Sequence, residues 1–438
     1  MPTTNLALGF LEPAQAQKHV IVNENSLLLD ALVQANVVSM SLAVEPAAPS
    51  EGDVYILPPG KTGANWGPMA NGALAFFRDG VWAPIAPRRG WTVYVRDEGQ
   101  HVVYSGTAWG PILSAAQTAG FRNRLINAAF AINQRGATSV ADDVYGFDRW
   151  YVLAESGSVT ISALTNPEAG RPTGIRLTQP DASAKRIGLA QIVESANIRD
   201  LRAAAVAMAA RVRCSAAQAI RIAILEWSGA ADAVVSDVVN AWANASFAPS
   251  AFFVANISVT ATGAATPIAN AWTDLPQITG AFSGALTNAI VMIWSEAPLA
   301  QNATLDIDQV QLEAGAACGA FARRSIGEEL GLCQRYFEAL STAATGSGGF
   351  SGYAASATIA RTGGGFKVVK RAPPSLAYAG SNINVNHAGG NFTPSAVGNV
   401  STSIHGFGVD FVGAGMTAGQ GVSISIQSPN ALTFDAEL

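Results

Sequence analysis

Alternation of apolar side chains at every second residue constrains this chain more than any other feature of its sequence. Residues 203–214 put it to the test, because they are so rich in alanine that propensity alone would make them helical. Yet Val206, Met208, Ala210, Val212 and Cys214 share one parity, and Ile220, Ile222 and Ile224 repeat the pattern just after. A period of two sends side chains to opposite faces of an extended strand, so both segments are read as strands, adjacent in the chain. Leu305, Ile307 and Gln309 alternate in the same way with Asp306, Asp308 and Val310. Short strands separated by Gly, Pro and Asn turns run from 127 to 322, the pattern of a jelly-roll β-sandwich.

Composition narrows the classes. The 438 residues allow roughly two to four domains. Only 13% are charged, against about 25% in a typical soluble domain. The 49% hydrophobic content includes 81 alanines, which bring little apolar area. A net charge of −5 with 5 lysines excludes a protein that coats nucleic acid through many phosphate contacts. Low charge with 9 Trp and 18 Phe excludes disorder. No uninterrupted strongly apolar run of about 18 residues occurs, so no membrane insertion is expected. Met1-Pro2-Thr3-Thr4 lacks a basic region before an apolar run, so no secretory signal is expected. Cys214, Cys318 and Cys333 are scattered and odd in number, which fits buried thiols in a reducing compartment and no zinc spacing. A surface this poor in charge fits a chain partly covered in an assembly.

Residues 1–40 read as a polar lead and then a helix. Its apolar face is Leu28, Leu29, Leu32, Val33 and Val37, with Asn23 or Asn25 as cap. From 41 to 113, prolines punctuate short strands. Phe77–Ile85 and Tyr104–Ile112 echo one another as two β-hairpins, the first turning on Asp79-Gly80, with Trp91 and Tyr94 between them. Residues 114–126 form a linker ending in Arg122 and Arg124. Ser325-Ile326-Gly327-Glu328 is a capping box. Behind it Ile326, Leu330, Cys333, Phe337 and Leu340 step as a heptad seam, predicting a helix through 340. That helix either lies on the sandwich or lines an oligomer axis. Residues 341–350 have hinge composition. Residues 341–438 carry 7 charges in 98 positions and read as a second β-domain ending in a strand over Leu432–Leu438.

Chemistry-bearing motifs are few. The chain has neither a nucleophile elbow nor a Walker loop, and Gly413–Gly419 misses dinucleotide spacing and reads as a turn. His19, His101, His387 and His405 show no metal-ligand spacing. The carboxylate pairs Asp142/Asp143, Asp306/Asp308 and Glu328/Glu329 are what glycoside hydrolysis would need. Asp306 and Asp308 share a strand face about 7 Å apart and are the candidates for a structural calcium; no other cofactor is expected. Flat aromatic rings stack on sugar faces while amides and imidazoles meet hydroxyls. The candidate carbohydrate-binding residues are Trp227, Trp242, Trp272, Tyr353, Tyr378, His387, Asn391, Phe392 and His405, with Trp294, Asn382, Asn384 and Asn386 as further members of the pool.

Two stretches carry resemblances. Leu11-Glu12-Pro13-Ala14-Gln15-Ala16-Gln17-Lys18-His19-Val20, then Asn23-Glu24, Gly52-Asp53-Val54-Tyr55-Ile56 and the Trp hairpins, resemble an uncharacterised family. It recurs in structural proteins of alphaproteobacterial phages and gene transfer agents, and the match spans about residues 8–112. Leu125–Phe130, Asn133-Gln134-Arg135-Gly136 and Phe147-Asp148-Arg149-Trp150 look like the opening of the carbohydrate-binding-like jelly roll of phage tail fibres. Ile307–Gly315, Phe321–Ser325 and Glu328–Phe337 resemble its close. Where that family often has Gly-Asp-Phe, this chain has Ala128-Ala129-Phe130.

These resemblances imply a mainly β fibre or spike protein of a virion. An N-terminal helix plus small β-domain (1–120) would anchor it to other virion proteins. A jelly-roll sandwich (125–322), a short linking helix (325–340) and a C-terminal β receptor-binding domain (341–438) would follow. The implied role is non-catalytic attachment of a tailed phage or gene transfer agent to host surface polysaccharide. The chain would be made in the bacterial cytoplasm and would self-associate as a homotrimer, or as a pentamer at a capsid vertex. The alternatives are a capsule-degrading glycoside hydrolase spike and a purely structural fibre or collar.

Overall fold

The computed structural model describes residues 8, 11, 16–112, 122–340, 349–428 and 430–438. Most of the expected linker at 114–126 and of the expected hinge at 341–350 lies outside the described residues. The chain forms two compact units, Met1–Ser114 and Ala115–Leu438. Among the described residues no helix is long and apolar enough to cross a membrane.

The first unit holds helix α1 (Lys18–Leu32) and strands β1 (Asn36–Val37), β2 (Val54–Ile56), β3 (Leu74–Arg78), β4 (Val81–Ile85), β5 (Thr92–Val95), β6 (Gln100–Tyr104) and β7 (Trp109–Pro111). They form the sheets β1-β5-β6-β7 and β2-β3-β4. Val37, Val54, Leu74, Phe76, Val93, Val95 and Val102 make the core between them. The β3–β4 hairpin turns on Asp79 (φ 50°) and Gly80 (φ 72°), the two left-handed residues that its Asp-Gly sequence announces. The helix differs from expectation. It starts behind Gln17, so Asn23 and Asn25 sit inside it rather than capping it. It stops at Leu32, because Gln34 turns left-handed (φ 53°) and sends Val37 into β1. Val33 and Leu29 are exposed.

The second unit begins with a sandwich. In chain order its strands are β8 (Ser139–Ala141), β9 (Val144–Tyr145), β10 (Tyr151–Ala154), β11 (Ser158–Glu168), β12 (Arg171–Thr178), β13 (Ile187–Val193), β14 (Ala205–Cys214), β15 (Ile220–Trp227), β16 (Ile257–Ala265), β17 (Thr273–Asp274), β18 (Ile278–Ala281), β19 (Asn288–Ser295) and β20 (Thr304–Ala314). A six-stranded sheet, β16-β15-β19-β13-β10-β9, faces a seven-stranded one, β17-β14-β20-β12-β11-β8 with β18 beside β14. The layout is jelly-roll-like and the protein is mainly β. Strands β14 and β15, neighbours in sequence, lie in opposite sheets, and their alternating residues meet in one core. In β20 the alternation breaks at Gln309 (φ 51°), where a bulge shifts the register with β14. Beyond it Val310 and Leu312 join Leu305 and Ile307 in the core.

The outer face of the six-stranded sheet is covered. Val234, Val238, Phe252 and Phe253, from the long connection between β15 and β16, pack on Tyr151, Ile192, Met292 and Trp294. Phe252 stacks on Trp294 at 5.3 Å.

Helix α2 (Ile326–Gln334) begins where the capping box places it, with Ser325 Oγ accepting the Glu328 N–H at 3.4 Å. It does not reach 340. Phe337–Leu340 leaves the helix as β21 and pairs with a strand from the far end of the chain, so the two-heptad seam is broken. Ile326 is 63% exposed, whereas Cys333 is buried with Ile126, Ile132 and Tyr336, and Leu330 packs against them. Phe337 is also buried, and Leu340 packs on the terminal core.

The remaining strands are β22 (Ser351–Ala354), β23 (Ile359–Gly365), β24 (Ser375–Tyr378), β25 (Ile383–His387), β26 (Gly390–Phe392), β27 (Ala396–Thr402), β28 (Gly406–Val412), β29 (Gly421–Ile426) and β30 (Leu432–Asp435). They build the sheets β26-β25-β29-β22-β23-β28-β27 and β21-β30-β24 over a core of Phe407, Phe411, Ile424 and Phe434. This terminal part shares one compact unit with the sandwich. Arg149 of the sandwich pairs with Glu437, Arg135 with Asp435 at 3.0 Å, and Asn430 donates to the Arg135 carbonyl at 2.6 Å.

Candidate functional site

The outer face of the seven-stranded sheet is polar, unlike the apolar covered face of the other sheet. Cross-strand register sorts its side chains into rows. One row is Ser162, Arg176, Asp306 and Arg213. Arg176 grips Asp306 with two bonds, Nε to Oδ1 at 2.7 Å and Nη2 to Oδ2 at 2.9 Å. From the other side Arg213 Nη2 lies 2.6 Å from Oδ2. Asp306 is therefore neutralised by two guanidinium groups, and the calcium expectation fails for it: a cation would have to displace both arginines. Among the described residues no group of three or more His, Cys, Asp or Glu is placed to hold a metal ion.

The next row is Asp274, Arg211 and Asp308. Arg211 bridges Asp274 at 2.9 Å and Glu168 at 2.8 Å. Asp308 Oδ1 accepts the Gln309 N–H at 2.7 Å, a bond created by the bulge. Among the described residues its Oδ2 has no hydrogen-bond partner, and Arg171 Nη1 stands 3.9 Å away. Burial pushes its carboxyl up to about 6, partly offset by the Gln309 bond and by Arg171 and Arg323.

Ligand clefts run upward from about 300 Å³, and one of about 340 Å³ opens on this face, lined by Arg171, Arg211, Asp274, Gln277, Gln309 and Phe321 among others. The Trp272 indole lies 4.9 Å from the Arg213 guanidinium and 5.9 Å from that of Arg211, and its Nε1 has no partner among the described residues. A flat ring, guanidinium donors held by carboxylates, and amide groups together match the needs of a polyhydroxyl ring.

The other sequence candidates do not converge here. Trp227 and Trp242 pack against the cluster on the covered sheet, where Trp227 Nε1 donates to the Ala230 carbonyl at 3.1 Å. Trp294 is fully buried in that cluster. Tyr378 and Phe392 lean on the terminal core. His387, Asn391 and Phe392 share the β25–β26 hairpin, with the His387 and Phe392 rings 5.9 Å apart and His387 Nδ1 accepting the Gly389 N–H. His405 lies in the β27–β28 turn, and Tyr353 is exposed on β22. Sequence reasoning missed Arg171, Arg211, Arg213 and Gln309. Arg211 and Arg213 could have been found, since they occupy the parity opposite to the core residues of β14.

Residues 22–110 match a family described as a protein of unknown function, DUF2793. No curated protein matches the chain. Among solved structures, TmCBM61 in complex with beta-1,4-galactotriose is similar at 14% identity and TM-score 0.27, over 44% of this chain and 99% of that one. The CBM22-1 xylan-binding domain of Paenibacillus barcinonensis Xyn10C is similar at 12% identity and TM-score 0.25, over 41% and 94%. The enzymatically active domain of tailspike protein 4 of bacteriophage CBA120 is similar at 9% identity and TM-score 0.27, over 45% of this chain and 22% of that one.

Proposed function

We propose that this chain is a non-catalytic carbohydrate-binding protein that attaches a phage or gene-transfer-agent particle to host surface polysaccharide. The observation that carries the binding role is the polar outer face of the seven-stranded sheet, where a cleft is lined by Arg171, Arg211 and Gln309 and the Trp272 ring lies against the Arg211 and Arg213 guanidinium groups. A preorganised arginine–carboxylate lattice offers donors and acceptors without ordering them on binding. The absence of hydrolysis in this reading rests on chemistry: most glycoside hydrolases flank one bond with a pair of carboxyl groups, and Asp274, the carboxylate lining this cleft, is tied to Arg211. The virion role rests on the resemblance of residues 8–112 and 125–340 to phage structural proteins. In that setting the chain is a homotrimer, or a pentamer at a vertex, and multivalency turns weak sugar contacts into firm attachment.

The test is a pull-down of the purified full chain on immobilised host polysaccharide, with Trp272→Ala beside it and an assay for new reducing ends. Retained binding by the parent chain, weakened by Trp272→Ala, with no reducing ends released, is expected. Release of reducing ends overturns the non-catalytic reading, and failure of the parent chain to bind overturns the whole of it.

A further inference from the structure

The terminal part carries a second cleft, of about 290 Å³, on the seven-stranded sheet that contains β22, β23, β28 and β27. Its chemistry follows from register. Tyr353 faces Arg361, Arg361 faces Asp410, and Asp410 faces Gly398, so these residues form one row across four strands. Phe407, Val409 and Phe411 of β28 are buried in the core, which puts Asp410 on the opposite, outer face. Arg361 holds Asp410 by two parallel bonds, Nε to Oδ1 at 2.9 Å and Nη2 to Oδ2 at 2.8 Å. Asn399 lines the cleft together with Asp410, at a bulge where β27 slips its register and Asn399 turns left-handed (φ 40°). Tyr353 neighbours Arg361 across the β22–β23 pair and is 49% exposed. Beside the row, Gly363 pairs with Gly408 and Gly365 with Gly406, and the Ser401 hydroxyl stands over Gly408.

We propose that this cleft is a second glycan site, separate from the sandwich face, that takes a neutral sugar unit. The inference rests on the carbohydrate-binding reading above and gives it a second site and a ligand class. The Tyr353 ring offers a flat apolar face with a polar tip, the shape that packs on the C–H face of a pyranose. Arg361, Asp410 and Asn399 supply donors and acceptors at the ring's edge, where hydroxyls can both give and accept. The neutral class comes from charge. Arg361 and Asp410 cancel, and the other residues lining the cleft are Thr362, Asn399, Val400, Ser401, Gly408 and Val409, none of them charged. A uronic acid would have to compete with Asp410 for Arg361 or lie against the Asp410 carboxylate; a neutral hexose does neither.

The experiment measures binding of the full chain to immobilised dextran, galactan, xylan and mannan, and to alginate and polygalacturonate as anionic counterparts. Trp272→Ala removes the aromatic platform of the sandwich face. In that background, Tyr353→Ala is expected to lower the remaining affinity for the neutral polymer about ten-fold. Asn399→Gly keeps the left-handed backbone, removes the amide, and is expected to lower it about three-fold. Unchanged melting temperatures establish that both variants fold. If Trp272→Ala alone abolishes all binding, or Tyr353→Ala leaves the residual binding intact, this cleft is no glycan site while the carbohydrate-binding reading stands. If the residual binding is to alginate or polygalacturonate and not to neutral polymers, the neutral class is wrong. If the parent chain binds none of the six polymers, the inference and the reading beneath it fall together.

Discussion

At the residue scale the most exacting contact is the pair Lys370–Glu338. Both side chains are fully buried, with Nζ 2.5 Å from Oε2 and a further bond from Nζ to the Gln334 carbonyl. Burial pulls the Lys370 ammonium below its ordinary pKa, and Glu338 pulls it back. Removing one partner strands the other charge, which costs about 3–5 kcal/mol. Lys370→Met should lower the unfolding free energy by that amount, and the urea midpoint with it, and adding Glu338→Leu should restore much of it, as read by equilibrium unfolding. A second group gives a pH signature. Desolvation, with Asp142 and Asp237 nearby, lifts the Asp143 carboxyl from 3.8 to about 7. A carboxyl raised by folding favours the fold while protonated. Its contribution is whole below about pH 4 and is lost as pH rises through about 7. Asp143→Asn should therefore gain stability over the parent chain between pH 4.5 and pH 8 in thermal melts, with little difference below pH 4. An equal difference at every pH would refute the assignment.

At the element scale, what the sequence made legible was short-range. Alternation found β14 and β15 against their alanine propensity, because core contact outweighs the small intrinsic preference of alanine. Asp79-Gly80 found its hairpin because few other residues accept two left-handed conformations in a row. Helix α2 shows where such reading stops. The steps from Ile326 to Leu340 satisfy a heptad, but Phe337 and Leu340 answer to β30, almost a hundred residues away, and no local window contains that partner. The Gln309 bulge is hidden for a related reason: its backbone is set by pairing with β14, and only then does Val310 swap faces with Gln309. The candidate site was legible in part. Trp272 was in the aromatic pool, yet nothing local separated it from Trp227 or Trp242. What separates them is the connection from β15 to β16, which packs on the sheet that carries Trp227 and Trp294 and not on the one beside Trp272.

At the scale of the whole molecule, the scarcity of charge after residue 341 has an internal explanation. Arg361 is tied to Asp410, Lys370 to Glu338, Asp435 to Arg135, and Glu437 to Arg149, while Arg371 donates to the carbonyls of Ala436 and Glu437. Six of the seven charges hold the fold, Lys367 being the exposed exception, and the outer face of the terminal sheet is left nearly neutral. One of these ties also sets a clock. Arg149 and Glu437 are 288 positions apart, so at ordinary elongation speeds the arginine waits roughly 15–60 s for its counter-ion. Until residue 437 clears the ribosome, a guanidinium destined for the interior has no carboxylate to enter with, and β21 and β24 lack the strand between them. Nascent chains arrested with residue 437 still in the exit tunnel should be cut readily by protease within the sandwich. Chains arrested far enough downstream to free it should resist, and equal resistance in the two would show that the sandwich closes without its distant partner.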